Sequence, residues 1–213
     1  MKTLPFDVRM ELDGWRLFWA RFELENPDAP ALAALRQRVA DEARQRFIST
    51  AEIGSHETVA GIRKLFRAAG CDPTRYRPAS EALLRRLVKG SAIPAIQPLV
   101  DLNNCLSAAL AVPCCVMVDG SFGTSLVWRS GREGEAYESL RGPFNLDNKP
   151  VLFDGEGPLD TPITGNTRVM VHPETRSAWL VAYLPAAELE IDQAWAVLDE
   201  LRGGLGIAVE PYA

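Results

Sequence analysis

The strongest constraint on the fold is a change in the spacing of apolar residues near Pro113. Before that residue, apolar side chains recur at intervals of three and four, which predicts helices over residues 31–47, 57–69, 80–89 and 99–110. After it, short apolar or alternating runs between glycine-containing turns predict strands at CCVMV, SLVWR, AYESL, PVLF, TRVMV and SAWLVAYL. A last helix is expected over residues 192–202, followed by a closing strand in GIAVEPY. These separate halves favour an α+β fold, with a helical first half packed on an antiparallel β-sheet or sandwich system.

The first 24 residues predict a β-hairpin. The runs VRMEL and WRLFWARFEL flank Asp13-Gly14, a dipeptide typical of tight hairpin turns. We therefore expect two antiparallel strands within residues 5–24, paired with each other.

The composition is that of a globular protein. The chain has 213 residues, of which 47% are hydrophobic and 24% charged, so it is long enough to bury a core and too apolar for disorder. No apolar run approaches about 18 residues, which argues against a membrane span. The first residues, MKTLPFDVRMELDG, carry charges where a secretory signal needs an apolar run, so we expect a cytoplasmic location.

Cysteine and histidine offer little for a metal site. The chain has only two histidines, and no Cys-x-x-Cys pair occurs among Cys71, Cys105, Cys114 and Cys115. We therefore expect neither a metal nor a cofactor. Cys114 and Cys115 lie in the apolar run AVPCCVMV, which favours small buried side chains in a reducing compartment. A redox or nucleophilic thiol is the alternative.

Positive charge is concentrated in residues 61–90. This segment holds eight Lys and Arg residues against two acidic ones, in a chain of net charge −5. Such an excess indicates either a surface for a polyanion or a solvated pair of helices, and the sequence leaves both interpretations open. On an RNA-binding surface, the contacts would come from Arg75, Arg77, Arg85, Arg86 and Lys89. The negative net charge leaves room only for a local patch, and no DNA or membrane partner is expected.

Several stretches together resemble a known family. They are DPTRYRPASEALLRRLVKG followed by PLVDLNN, then GTSLVWRSGREGEAYESL, VLFDGEGPL and PETRSAWLVAYLP. The combined pattern resembles the B3/B4 domain of the phenylalanyl-tRNA synthetase beta subunit, and above all the free-standing proteins built from that domain. The resemblance implies one domain over residues 1–213. Its parts would be a hairpin-plus-helix extension at 1–54, the B3/B4 core at 55–185, and a C-terminal helix and strand at 186–213.

The resemblance also implies a pocket. In the synthetase, this domain is the editing module, which hydrolyses tyrosine mischarged onto the phenylalanine tRNA. The family's Thr-Asn pair falls on Asn103 and Asn104. Its His falls on or next to Cys115, and its loop glycine falls on Gly165. The pocket is thus expected at Asn103, Asn104, Cys115, Gly165, Asn166 and Thr167. The family's Glu falls near Val181, so both the His and the Glu of the synthetase are replaced in this chain.

Three functions stay open on this basis. The chain is expected to bind tRNA or another RNA, either as an esterase that deacylates mischarged aminoacyl-tRNA in trans or as a non-catalytic module. The alternative is a pocket protein for a free amino acid or another small metabolite. Because the family's His and Glu are replaced, the resemblance assigns no catalytic residue.

Overall fold

Two β-sheets lie face to face, and helices cover the outer side of one of them. The structure, a computed structural model, describes residues 1–212. The helices in this range are α1 (Ala29–Arg46), α2 (Thr50–Ser55), α3 (Glu57–Ala68), α4 (Ala79–Val88), α5 (Pro98–Leu110) and α6 (Ile191–Leu201). The strands are β1 (Asp7–Met10), β2 (Trp15–Leu24), β3 (Cys114–Val118), β4 (Ser125–Ser130), β5 (Ala136–Ser139), β6 (Gly142–Asn145), β7 (Pro150–Asp154), β8 (Gly157–Asp160), β9 (Ser177–Pro185) and β10 (Ile207–Tyr212).

The central sheet is antiparallel, in the order β10-β2-β9-β3. Successive side chains of a strand point to opposite faces, and β9 shows this directly. Leu180 and Leu184 pack towards the helices, whereas Trp179 and Tyr183 pack towards the second sheet. Both faces are therefore buried, which accounts for the nearly continuous apolar run of β9.

The outer sheet has the order β1-β4-β7-β8, in which β1 and β4 are parallel and the other pairs antiparallel. Strands β5 and β6 form a separate two-stranded hairpin. Aromatic side chains fill the space between the two large sheets. Trp128 of β4, for example, stacks on Tyr183 of β9 with ring centroids 4.9 Å apart.

The helices pack on the central sheet through the apolar stripes that the sequence predicts. The core on this side includes Leu32 of α1, Leu84 of α4, Leu102 of α5 and Leu198 of α6. Local signals set the start of α5. The Gln97 side chain accepts a 2.7 Å hydrogen bond from the Leu99 amide at its start, and Pro98 stands in the first turn, where a missing amide proton costs nothing.

The predicted N-terminal hairpin is wrong. Strand β1 pairs in parallel with β4, while β2 pairs with β9 and β10 in the other sheet. The turn at Asp13-Gly14 exists, with Gly14 at φ +80°, but it carries the chain from one sheet to the other. Both edges of β2 are occupied by longer pairings, so no edge is left on which β1 could fold back.

A second prediction, a strand at TRVMV, is also wrong. Thr167–Val169 form one turn of 3₁₀-helix, because the Asn166 side chain accepts a 3.0 Å hydrogen bond from the Arg168 amide and starts the turn. The short elements α2, β6 and β8 went unpredicted. The fold class is nevertheless confirmed as α+β, with helices from the first half packed on largely antiparallel sheets. In the described part of the chain, no helix is long and apolar enough to cross a membrane.

Candidate functional site

A groove with a volume of about 810 Å³ runs between α4, with the turn that precedes it, and the β5–β6 hairpin. Among the residues that the structure describes, its wall contains six cationic side chains and no acidic one. We call it the cationic groove. It is lined by Arg75, Tyr76, Arg77, Ala79, Ala82, Arg85, Arg86, Lys89, Ser139, Leu140, Arg141, Phe144, Ile163 and Thr164.

Helical spacing explains how one wall of the groove is built. Lys89, the residue that ends α4, comes four residues after Arg85 and three after Arg86, so its side chain leaves the helix on the same side as theirs. Arg75 and Arg77 come from the turn that leads into α4. The structure therefore brings together all five residues that the sequence singled out for RNA contacts. Arg141, on the hairpin opposite, is a sixth cation that the sequence reasoning missed.

One buried carboxylate orients part of this wall. Glu81 is fully buried and accepts hydrogen bonds from Arg63, at 2.9 and 3.1 Å, from Arg77, at 3.3 Å, and from Arg85, at 3.0 Å. The charges of two groove arginines, Arg77 and Arg85, are thus partly neutralised by Glu81. Within residues 1–212, Arg75, Arg86, Lys89 and Arg141 have no acidic partner within 4.0 Å, so their charges face the groove uncompensated.

Tyr76, a partly buried residue of the groove wall, packs against the core between the sheets. The ammonium group of the buried Lys149 lies 4.0 Å from the centre of its ring, and the Arg75 guanidinium lies 5.1 Å from it. Lys149 also donates 3.2 Å hydrogen bonds to the Asn145 side chain and to the Asp147 carbonyl. Tyr76 is therefore held in place at the groove wall rather than free to follow a base.

A buried polar cluster lies next to the groove, and we define it as Cys115, Tyr137, Asp160 and Tyr183. The Tyr183 hydroxyl donates a 2.6 Å hydrogen bond to Oδ2 of Asp160. The Tyr137 hydroxyl donates a hydrogen bond to the Thr164 carbonyl and lies 3.3 Å from the Thr161 hydroxyl. Because Thr164 also lines the groove, the 161–165 loop connects the two features.

The electrostatics of the buried polar cluster single out Asp160. Burial raises the pKa of its carboxyl from 3.8 to about 7, although the hydrogen bond from Tyr183 opposes that shift. Burial also raises the pKa of the Cys115 thiol and of the Tyr137 and Tyr183 hydroxyls, and the nearby Asp160 raises them further. Asp160 is therefore the member of the cluster that changes protonation near neutral pH.

The structure brings together only some of the predicted pocket positions. Cys115 is beside Asp160, and Gly165 forms an antiparallel bridge with it. Asn166 and Thr167 brace the following turn, because the Asn166 amide donates to the Pro158 carbonyl at 2.7 Å and the Thr167 hydroxyl to the Glu138 carbonyl at 3.1 Å.

Asn103 and Asn104 are on the other side of the central sheet. They belong to α5, whose apolar side chains pack on the face that Cys114 and Val116 of β3 also contact. Cys115 points to the opposite face, because side chains alternate along a strand. Sequence reasoning also missed Asp160, Tyr137 and Tyr183, since a lone Asp at a strand end and two Tyr in apolar strands carry no motif.

Comparison with known proteins identifies a family and a solved structure that resemble this chain. A family model described as "B3/4 domain" matches residues 61–193. Among solved structures, an N-terminal fragment of the phenylalanyl-tRNA synthetase beta subunit from Pyrococcus horikoshii is similar, with a TM-score of 0.50 and 12% sequence identity. That alignment covers 98% of this chain and 51% of the fragment, so the chain spans about half the length of the fragment. No curated protein matches the sequence of this chain.

Proposed function

The chain belongs to the B3/4 domain family, and we propose that it binds tRNA through the cationic groove. The observation that carries this proposal is the wall of six cationic side chains without an acidic one. Phosphate contacts from Lys and Arg supply most of the affinity of proteins for nucleic acids, independently of sequence. A net charge of −5 gives no general attraction for a polyanion, so binding would depend on this groove.

Binding to tRNA should be measured against salt concentration by filter retention. Arg86→Glu combined with Lys89→Glu should weaken binding about tenfold or more and reduce the slope of log affinity against log salt by about 2. A matched control is Lys64→Glu with Arg67→Glu, which makes the same charge change on the exposed part of α3, outside the groove. Equal losses for both pairs, or no binding by the wild type at low salt, would contradict the proposal.

A second function is favoured by one further observation, the contact of Thr164 with both the groove and the buried polar cluster. We propose that RNA in the groove presents its aminoacyl end to Cys115, Asp160 and Gly165, and that the chain hydrolyses the ester in trans. Water adds to the ester carbonyl carbon, the bond to the ribose oxygen breaks, and the ribose oxygen takes up a proton.

The hydrolysis proposal has its own test. Release of amino acid should be followed from a panel of mischarged tRNAs, with and without protein. Release at only the uncatalysed rate across the panel would remove the esterase and leave RNA binding intact. Stabilisation of the fold by free amino acids alone, seen as a raised melting temperature, would favour the pocket protein instead. We also propose a cytoplasmic location, which the free thiols of Cys71, Cys105, Cys114 and Cys115 support.

A further inference from the structure

We propose that Oδ1 of Asp160 anchors the α-ammonium group of the amino acid at the end of the cationic groove. The inference deepens the proposed function and rests on it for the identity of the whole ligand. It assigns a binding role to a residue that the sequence did not single out. It also defines the substrate class as aminoacyl esters with a free primary amine, to the exclusion of N-acylated ones.

The first argument is a buried carboxylate oxygen that lacks a hydrogen-bond donor. Asp160 is 1% exposed, and its Oδ2 atom accepts the hydrogen bond from Tyr183. Its Oδ1 atom is buried, and among residues 1–212 no donor lies within hydrogen-bond geometry of it, although the weak S–H donor of Cys115 and the Thr161 amide act on the same carboxylate. Buried polar atoms in native proteins are nearly always paired, because an unpaired acceptor costs about 1–3 kcal/mol. A donor from a ligand would remove that cost.

The second argument is that the chain leaves space next to this oxygen. Gly165 lies opposite Asp160, and a Cβ atom added at Gly165 would lie 3.8 Å from Oδ1. Any larger side chain there would occupy the space in front of the carboxylate. Gly165 is partly exposed, so the surroundings of Asp160 are not sealed from solvent.

The third argument is charge. The groups that face Asp160 are Cys115 on β3, Tyr137 on β5 and Tyr183 on β9, and none of them is cationic. Burial holds their pKa values above the usual range, so they are neutral at pH 7. An ionised Asp160 therefore has no positive partner among residues 1–212, and a ligand cation would be its counter-charge.

The fourth argument is the order of charges along the site. Thr164 lines the groove together with the cationic side chains, and Asp160, which carries a negative charge when ionised, is opposite the next residue, Gly165. An aminoacyl ester of RNA has the complementary order, with phosphates along its chain and a single ammonium group at its end. A peptidyl or N-acetylated ester lacks that terminal charge, so it would leave Oδ1 unpaired.

The experiment uses small probes without RNA, so that it is independent of the groove. Amino-acid amides covering the common side chains, each paired with its N-acetyl form, are titrated into the full chain by calorimetry at pH 7.5. At least one free amide should bind, and its N-acetyl form should bind roughly 10- to 100-fold more weakly. Asp160→Asn keeps an acceptor for Tyr183 but removes the charge, so it should abolish this difference.

A second variant keeps the test decisive if Asp160→Asn fails to fold. Gly165→Ala places a methyl group in front of Oδ1 at ordinary contact distance and should weaken the free amides. Gly155→Ala is its control, because a Cβ there meets nothing within 4 Å. The assignment is overturned if no amide binds, if both forms of each pair bind equally, or if Gly165→Ala and Gly155→Ala behave alike. Failure of uncharged tRNA to bind overturns the proposed function instead and leaves the ammonium site standing.

Discussion

Tyr183 and Asp160 join the two sheets by a 2.6 Å hydrogen bond from a phenol hydroxyl to a buried carboxyl. Tyr183 belongs to β9 of the central sheet, and Asp160 ends β8 of the outer sheet. Both side chains are at most 1% exposed. The interface between the sheets, which is built mainly from aromatic and aliphatic side chains, thus contains one acid whose charge state depends on pH.

The first prediction concerns stability against pH. The folded-state pKa of Asp160 is about 7 and its ordinary value is 3.8, so the folded state binds a proton more tightly than the unfolded chain. The stabilisation from the protonated acid is complete below pH 4 and is lost as the pH rises towards 7. Relative to Asp160→Asn, the wild type should lose on the order of 4 kcal/mol between pH 4 and pH 8.

Urea unfolding of both proteins at several pH values measures this difference. Asp13→Asn, in an exposed turn, serves as the control and should follow the wild type. A wild type and Asp160→Asn that respond to pH in parallel would show that Asp160 does not titrate between pH 4 and pH 8.

The second prediction concerns Glu81. Glu81→Gln keeps the volume of the side chain but leaves Arg63, Arg77 and Arg85 around a neutral amide. Because breaking a buried ion pair strands the remaining charges, the free energy of unfolding should fall by roughly 3 kcal/mol. Glu42→Gln is the comparison, since Glu42 pairs with Arg38 at 3.2 Å on the exposed surface and should cost less than about 1 kcal/mol. Chemical denaturation distinguishes the two, and equal losses would contradict the role given to Glu81.

The third prediction concerns the cysteines. Burial raises the pKa of Cys71 to about 11 and that of Cys105 to about 12, and it also raises the pKa values of Cys114 and Cys115. Since the thiolate is the reactive form, alkylation by iodoacetamide at pH 7.5 should be slow for all four until the chain unfolds. Mass spectrometry of a time course measures this. Rapid labelling of Cys115 in the native protein would restore the nucleophilic-thiol interpretation.

The fourth prediction concerns the segment that the family model matches. Residues 61–193 lack β2 and β10, although β2 lies between β10 and β9 in the central sheet. Without β2, the segment loses Phe18 and Phe22, which are fully buried in the core. We expect it to be insoluble or unfolded when expressed alone, by circular dichroism and hydrogen exchange, whereas residues 1–212 fold. A folded 61–193 segment would mean that the N-terminal strand is dispensable.

The sequence predicts helices well and strand pairing poorly, for physical reasons. Helical hydrogen bonds and spacing are local, so α1, α3, α4, α5 and α6 lie within two residues of the expected bounds. Strand pairing depends on distant segments. Asp13-Gly14 indicates a turn, but no residue close to it in the sequence predicts that β1 pairs with residues 125–128 of β4.

The same distinction applies to the candidate site. The groove cations of α4 follow from spacing on one helix, whereas Asp160 gains its properties from Tyr183 and Cys115, which are distant in sequence. The resemblance led to Cys115 and Gly165, both next to Asp160. It also led to Asn103 and Asn104, which the central sheet separates from them, because an alignment carries no information on which face of a sheet an element packs.

During synthesis, β2 leaves the ribosome long before either of its neighbours in the sheet. Its ten residues, WRLFWARFEL, have no pairing partner until residues 177–185 are made, and their second edge waits for residues 207–212. A nascent chain therefore carries β2 as an unpaired apolar strand while residues 25–176 are made, in the state most prone to aggregation and chaperone binding. The synthesis of β10 therefore determines when the second edge of β2 becomes protected.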